Sequence, residues 1–475
     1  MHQQTEHPLA AIILAAGKGT RMKTSLPKVL HTLGGRTLLE HVLDTAASIS
    51  TEKVIIVAGY GADAVKSIVE KRTGNLEIVI QEPQLGTGHA VAQCLDALSG
   101  YAGTVVVLSG DVPGLEPGTV RDLVRARIDK DAAISVLTAH LEDPTGYGRI
   151  VRGLEGEILE IREQRDLSEG QDRITEVNLG VYAFESSFLI RELPGIGRDN
   201  AQGEYYLTDL IKAAVDSGSG VVSHTTADHT KALGINTLGE LSGVEKMRNR
   251  KHLQELMESG VHILDPDQTW IEDTVTVEPE TVIHPNVFLY GQTRIGAGST
   301  IWPGAVITDS EIGSGAVIKP YCVITDSTIG DKAEIGPFSH FRPGNKIENS
   351  VKIGNFVEIK KSIVGEGSKV SHLTYIGDSE LGKKVNIGAG CVTANYDGFK
   401  KHKTVIEDGV FVGCGTMMVA PMTIGKGSLV AAGSTLTKDV PSDSLAIARN
   451  QQTTKEGWAA ERRKKLNEEV KKEKS

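Results

Sequence analysis

Two groups of residues in this sequence could do chemistry. The first begins at Leu14-Ala15-Ala16-Gly17-Lys18-Gly19-Thr20-Arg21-Met22, followed by Pro27-Lys28. Glycines in such a turn let backbone N–H groups approach a polyphosphate, and Arg21 and Lys28 add positive charge. A Walker A loop or a dinucleotide fingerprint would need glycine where Met22 stands, so neither motif fits. Asp111 closes Leu108-Ser109-Gly110-Asp111 at the end of an apolar run. A lone carboxylate there suits Mg²⁺, which takes few protein oxygens and keeps water and phosphate. Gln81 and Leu85-Gly86-Thr87-Gly88 follow a third apolar run.

The second group depends on a repeat. From Ile271 to Leu436 an aliphatic residue recurs almost every six positions, replaced once each by Phe341, Thr393 and Met418. Steps of five begin at Ile307, Ile324, Ile359 and Ile376, all on one side of a coil of 17 or 18 residues. Hexapeptide repetition predicts a β-helix whose rungs stack into a triangular prism of about nine coils. Coil arithmetic then places Arg342 directly below Lys360, and Glu358 directly below Tyr375, at the sheet spacing of about 5 Å. Stacked like charges repel unless an anion compensates them, and a sugar phosphate would do so. His372, third in its rung and facing outward, is the candidate general base, since its pKa lies near neutrality. Cys322 and Cys391 fall in inward slots and read as core. The segment 393–405 interrupts the repeat on the side of the short rungs, and excursions from a solenoid usually carry function.

The elements that must hold these residues follow from pattern. Apolar runs at 10–16, 54–59, 76–81, 104–111 and 132–139 alternate with helical stretches, which predicts βαβ units and a parallel sheet with ligands at its carboxyl ends. Residues 237–259 read as one amphipathic helix ended by Gly260, and the charge-mixed stretch from 455 reads as a solvated, frayed helix. The domain reading is therefore 1–236, a linker helix within 237–264, a β-helix over 265–449, and a charged tail over 450–475.

Composition narrows the classes. Formal charge is −10 over 475 residues, which argues against a dedicated nucleic-acid binder. Four scattered cysteines make neither a disulfide framework nor a CxxC zinc site. The first apolar run, 10–16, is too short for a membrane span or a signal core. These features point to a reduced, cytoplasmic protein.

The string LAAGKGTRM…PK resembles the sugar-nucleotide pyrophosphorylases, and the repeat resembles the left-handed β-helices of many acyltransferases. From about residue 10 to 458 the whole sequence resembles the bifunctional N-acetylglucosamine-1-phosphate uridylyltransferase / glucosamine-1-phosphate N-acetyltransferase family. The resemblance implies an α/β Rossmann-like nucleotidyltransferase domain, then a left-handed parallel β-helix. It also implies acetyl transfer from acetyl-CoA to glucosamine-1-phosphate, followed by Mg²⁺-dependent uridylyl transfer from UTP, feeding cell-envelope precursors. Matching by motif, uracil falls on Gln81, Gly86 and Thr87, and the triphosphate on Arg21 and Lys28 beside Leu14, Ala15, Ala16 and Gly17. The sugar falls on Gly148, Glu163 and Asn178, and Mg²⁺ on Asp111 and Asn236. Arg342, Lys360, Tyr375, Asn386 and Lys401 would bind the amino-sugar phosphate. Ala389, Asn395, Tyr396, Cys414, Ala432 and Arg449 would line the acetyl-CoA site, with Cys414 standing where serine is expected. His372 would be the base and Glu358 would orient it. Gly114 replaces a larger aliphatic, so its loop is expected to pack differently. The resemblance further implies a homotrimer acting on small molecules, with no nucleic-acid partner and no membrane insertion. Two alternatives stand beside it: a monofunctional pyrophosphorylase whose β-helix only oligomerises, and a β-helix metalloenzyme of the carbonic-anhydrase type. The second needs paired histidines on neighbouring coils, and His284, His340, His372 and His402 supply none in matching slots.

Overall fold

The computed structural model describes residues 7–473. The chain divides into two compact units between Arg248 and Asn249. The division falls inside the helix Leu238–Glu258, where the sequence had placed a linker over its full length.

In the first unit the main path of the sheet runs Val221–Thr225, Ile134–His140, Glu176–Glu185, Thr104–Ser109, Leu9–Ala15, Lys53–Ala58, Leu76–Ile80. Leu9–Ala15 pairs in parallel with both Lys53–Ala58 and Thr104–Ser109. Side chains alternate between two cores, with Ala11 and Ile13 in one and Ala10 and Ile12 in the other. A sheet covered on both faces needs apolar residues at every position, which is why these strands read as unbroken runs. The sheet is not wholly parallel, as the sequence pattern had suggested. Glu176–Glu185 runs antiparallel to both neighbours, because the hairpin of Arg149–Arg152 and Ile158–Arg162 precedes it in place of a crossover helix.

In the second unit three parallel sheets of 11, 10 and 9 short strands form the prism. The aliphatic start of each rung points inward, as does the smaller residue that usually sits four later, and together they make one continuous core from Ile263 to Val440. The hand follows the left-handed hexapeptide class. Corners turn through residues of positive φ, and the five-residue steps place Asp309, Asp326, Lys361 and Asp378 there. Aspartate tolerates this conformation better than most residues. Other corners hold Tyr321, Phe338, Phe356 and Leu373, all exposed. Cys322 and Cys391 are fully buried, and burial pushes the Cys322 thiol up to about 11. The tail forms a helix, Trp458–Glu473, exposed wherever its side chains are described. No helix among the described residues is long and apolar enough to cross a membrane.

Candidate functional sites

The first site lies where the strands Leu9–Ala15, Leu76–Ile80 and Thr104–Ser109 end. A 320 Å³ cavity there is lined by Leu14, Gly17, Lys28, Gln81, Gly86 and Asp111, with Ala16 and Thr87 also on its wall. Ala15, expected beside the triphosphate, is fully buried in the core and is not on the cavity wall. Gln81 is buried, and its amide nitrogen donates to Gly86 O at 2.9 Å. Gly86 has φ +107, and a Cβ there would stand 2.6 Å from Tyr205 O. Only glycine lets the two loops close. Sequence reasoning missed Gln84, Ser109 and Glu204, which also line the cavity.

Asp111 and Asn236 are tied together by backbone. Ile235 N–H donates to Asp111 O at 2.9 Å, and the Asn236 side-chain amide donates to Gly234 O at 3.1 Å. Thr237 and Glu240 fix the start of the following helix, with Glu240 Oε2 accepting Asn236 N–H at 2.7 Å. This leaves Asn236 Oδ1 facing the site, where Lys28 Nζ donates to it at 3.0 Å and Arg21 Nη2 at 2.7 Å. The same Lys28 ammonium is ion-paired with Asp111 Oδ2. Two oxygen donors therefore converge on one cation position, a donor set that fits Mg²⁺. Among the described residues no three His, Cys, Asp or Glu side chains gather as a metal cluster.

Gly148, Glu163 and Asn178 come together. Asn178 N–H donates to Gly148 O at 2.9 Å, and the Glu163 carboxylate lies 3.5 Å from where a Gly148 Cβ would stand. Burial raises the Glu163 pKa, and Asp166 and Asp209 add to the rise against a hydrogen bond from Thr208. Asn178 is oriented by Gly180 N–H at 2.9 Å and donates to Tyr182 Oη at 2.7 Å. Gly114 admits the backbone of Lys231, whose carbonyl oxygen would lie 2.8 Å from a Cβ. A larger aliphatic would push that strand of chain away.

The second site is on the prism. The register pairs Glu358 with Tyr375, and Arg342 N–H donates to Ile359 O at 2.8 Å, so Arg342 and Lys360 stack as expected. Lys401 reaches the same place from the excursion. The neighbouring Lys401 ammonium, a like charge, is the main cause lowering the Lys360 pKa; Arg342 adds to the fall and Asp378 opposes it. Three cations thus converge, Arg342 already paired with Glu358 and Lys360 facing the carboxylate of Asp378. Asn395 donates to that carboxylate, Asp378 Oδ2. The excursion is itself ordered: Tyr396 and Lys401 bridge, and Asp397 accepts from Phe399 N–H, Lys400 N–H and His402. These bonds hold the Asp397 carboxyl far below its ordinary range. Tyr396 and Phe399 at its tip are exposed.

His372 ends the strand Lys369–His372, and its Nδ1 lies 2.6 Å from Asn355 Oδ1, one coil below. An amide oxygen only accepts, so Nδ1 donates this hydrogen bond, and in the neutral ring the lone pair is then on Nε2. Glu358, expected to orient His372, is instead paired with Arg342 at 3.2 Å, beside the neighbouring strand of its own prism face, which adjoins the face that carries His372. Asn355 was missed, although it occupies the same rung slot as His372. That slot continues upward through Ala389, Cys414 and Ala432, with Gly415 N–H on Ala389 O at 2.7 Å and Gly433 N–H on Cys414 O at 2.8 Å. Cys414 is exposed. Arg449 lies beyond, its Cδ 3.9 Å from a Cβ built at Gly433, and Asn386 starts the strand that leads to Ala389.

Residues 11–176 match the MobA-like NTP transferase domain, and 274–309 and 292–326 match the bacterial transferase hexapeptide family. The bifunctional protein GlmU of Geobacter metallireducens is 48% identical across 96% of this chain and 99% of its own. Those of Pelobacter propionicus and Halalkalibacterium halodurans are each 45% identical, across 96% and 95% of this chain and 99% and 98% of theirs. With both sites and both folds on one chain, it belongs to the bifunctional GlmU family.

Proposed function

We propose that this chain makes UDP-N-acetylglucosamine in two steps, acetyl transfer over residues 265–449 and uridylyl transfer over 1–236. The observation that carries the reading is one chain with two cation-lined sites, one at the sheet ends and one beside His372. For acetyl transfer, Arg342, Lys360 and Lys401 anchor the phosphate of glucosamine-1-phosphate. Asn355 holds His372 with Nε2 placed to take a proton from the amine as nitrogen attacks the thioester carbon of acetyl-CoA; the C–S bond breaks and coenzyme A leaves as its thiolate, which takes up a proton. The coenzyme lies along the strip of Ala389, Cys414 and Ala432, towards Arg449. For uridylyl transfer, Gln81, Gly86 and Thr87 hold uracil, and Gly148, Glu163 and Asn178 hold N-acetylglucosamine-1-phosphate. Its phosphate oxygen attacks the α-phosphorus of UTP in line, and pyrophosphate leaves beside Arg21 and Lys28. Mg²⁺, held by Asp111 and Asn236, supplies charge stabilisation when bound.

The working form in this reading is a cytoplasmic homotrimer. Four free cysteines fit a reducing compartment. Tyr321, Phe338 and Phe356 stack at the surface with centroids 5.2 and 5.3 Å apart, and Leu373 beside His372 extends that corner. An apolar ladder of this kind suits a neighbouring copy. The test supplies glucosamine-1-phosphate, acetyl-CoA, UTP and Mg²⁺ and looks for UDP-N-acetylglucosamine. Uridylyl transfer with no acetyl transfer would instead favour a β-helix that only oligomerises.

A further inference from the structure

The most unusual feature of the first site is what occupies the point between Asp111 and Asn236. The Lys28 ammonium pairs with Asp111 Oδ2 and donates to Asn236 Oδ1 at 3.0 Å, while Arg21 takes the same Asn236 oxygen at 2.7 Å. We propose that Lys28 is a resident cation that keeps divalent metal out of the uridylyl site until a nucleoside triphosphate draws its ammonium away. This rests on the reading of Asp111 and Asn236 as the metal's oxygens.

The arrangement is built into the fold. The Lys28 stem lies against Gly19, where a Cβ would stand 2.5 Å from Lys28 Cβ. Gly19 also has φ +65, so the loop favours glycine on two counts. Lys28 opens a short turn, Lys28–Leu30, anchored by the buried Val29 and Leu30. The base of the side chain is therefore fixed, and only its outer carbons can swing. Lys28 and Asp111 side chains are 16% and 15% exposed, so solvent screens their pairing little. A divalent ion at the same oxygens would meet this ammonium as a like charge and would shed water that Mg²⁺ releases reluctantly. A triphosphate in the adjoining cavity removes both obstacles. Its oxygens give the ammonium a new partner and give the metal further ligands. Metal and nucleotide then raise each other's affinity by the same factor, as linkage requires.

The test uses Mn²⁺ bound to the full-length chain, read by electron paramagnetic resonance, without and with a non-hydrolysable UTP analogue at protein excess. Wild type is expected to bind Mn²⁺ weakly alone and more tightly with the analogue. Lys28→Met is expected to bind Mn²⁺ alone about tenfold or more tighter than wild type, within the ordinary range of coupling between sites. Adding Asp111→Asn to Lys28→Met should abolish that gain. Equal Mn²⁺ affinity of wild type and Lys28→Met without nucleotide overturns the proposal while leaving the metal ligands in place. Nucleotide-dependent Mn²⁺ binding in wild type that is indifferent to Asp111→Asn overturns the metal assignment and the proposal with it. Lys28→Gln repeats the measurement, and melting curves establish that each variant is folded.

Discussion

In the proposed sugar site Glu163 is to accept from a sugar hydroxyl, yet its burial favours the protonated form. A raised pKa means the carboxylate is lost, as pH falls, at a pH where an exposed glutamate would still be ionised. The KM for N-acetylglucosamine-1-phosphate in uridylyl transfer should therefore climb on the acid side from that point. Glu163→Gln should raise KM at every pH and remove that limb; parallel wild-type and variant profiles would refute the assignment. At the other site, a positioned base contributes about 10²–10⁴-fold, so His372→Ala should cost acetyl transfer that much and spare uridylyl transfer. Asn355 acts through His372. One neutral hydrogen bond is worth about 0.5–1.5 kcal/mol, so Asn355→Ala should lower kcat up to about tenfold. The KM for glucosamine-1-phosphate should hold; a change in KM alone would make Asn355 a binding residue.

At the scale of elements, glycine decides how closely coils and loops approach. A Cβ at Gly377 would stand 2.4 Å from Tyr375 Oη and 2.8 Å from Asn395 Nδ2. Gly377→Ala should therefore displace both side chains and raise KM in acetyl transfer while the prism still melts near the wild-type temperature. Loss of the cooperative transition would instead show that the coil cannot absorb the methyl group. The prism was legible because a six-residue period repeats one decision, inward or outward, at every rung, and Ile359 or Ile376 obeys it as Ile271 does. The central strands of the first sheet were legible for the same reason, burial on both faces. Glu176–Glu185 was not, since its antiparallel course depends on a hairpin with mixed polarity. Glu204 escaped because a distant loop brings it in, through Tyr205 N–H on Leu85 O at 2.8 Å. Asn355 was within reach of coil arithmetic. Glu358 as the orienting residue comes from the family resemblance alone, and a corner of the prism separates it from His372.

Over the whole chain, the two proposed anion sites stand in a protein of net charge −10, so each is a local concentration of cations against an acidic background. The two sites also share no residue, and each lies within its own compact unit. Nothing in either geometry requires the acetylated sugar to stay on the chain that made it. Asp111→Ala should abolish uridylyl transfer and leave acetyl transfer intact, and His372→Ala should slow acetyl transfer by about 10²–10⁴-fold and leave uridylyl transfer intact. An equimolar mixture of the two variants should then convert glucosamine-1-phosphate to UDP-N-acetylglucosamine, with free N-acetylglucosamine-1-phosphate accumulating first. The measurement is a time course of both products with acetyl-CoA, UTP and Mg²⁺ present. A mixture that yields no nucleotide sugar, while each variant keeps its other activity, would show that the intermediate must pass within one chain. Loss of both activities in folded Asp111→Ala would show that the two sites are not independent.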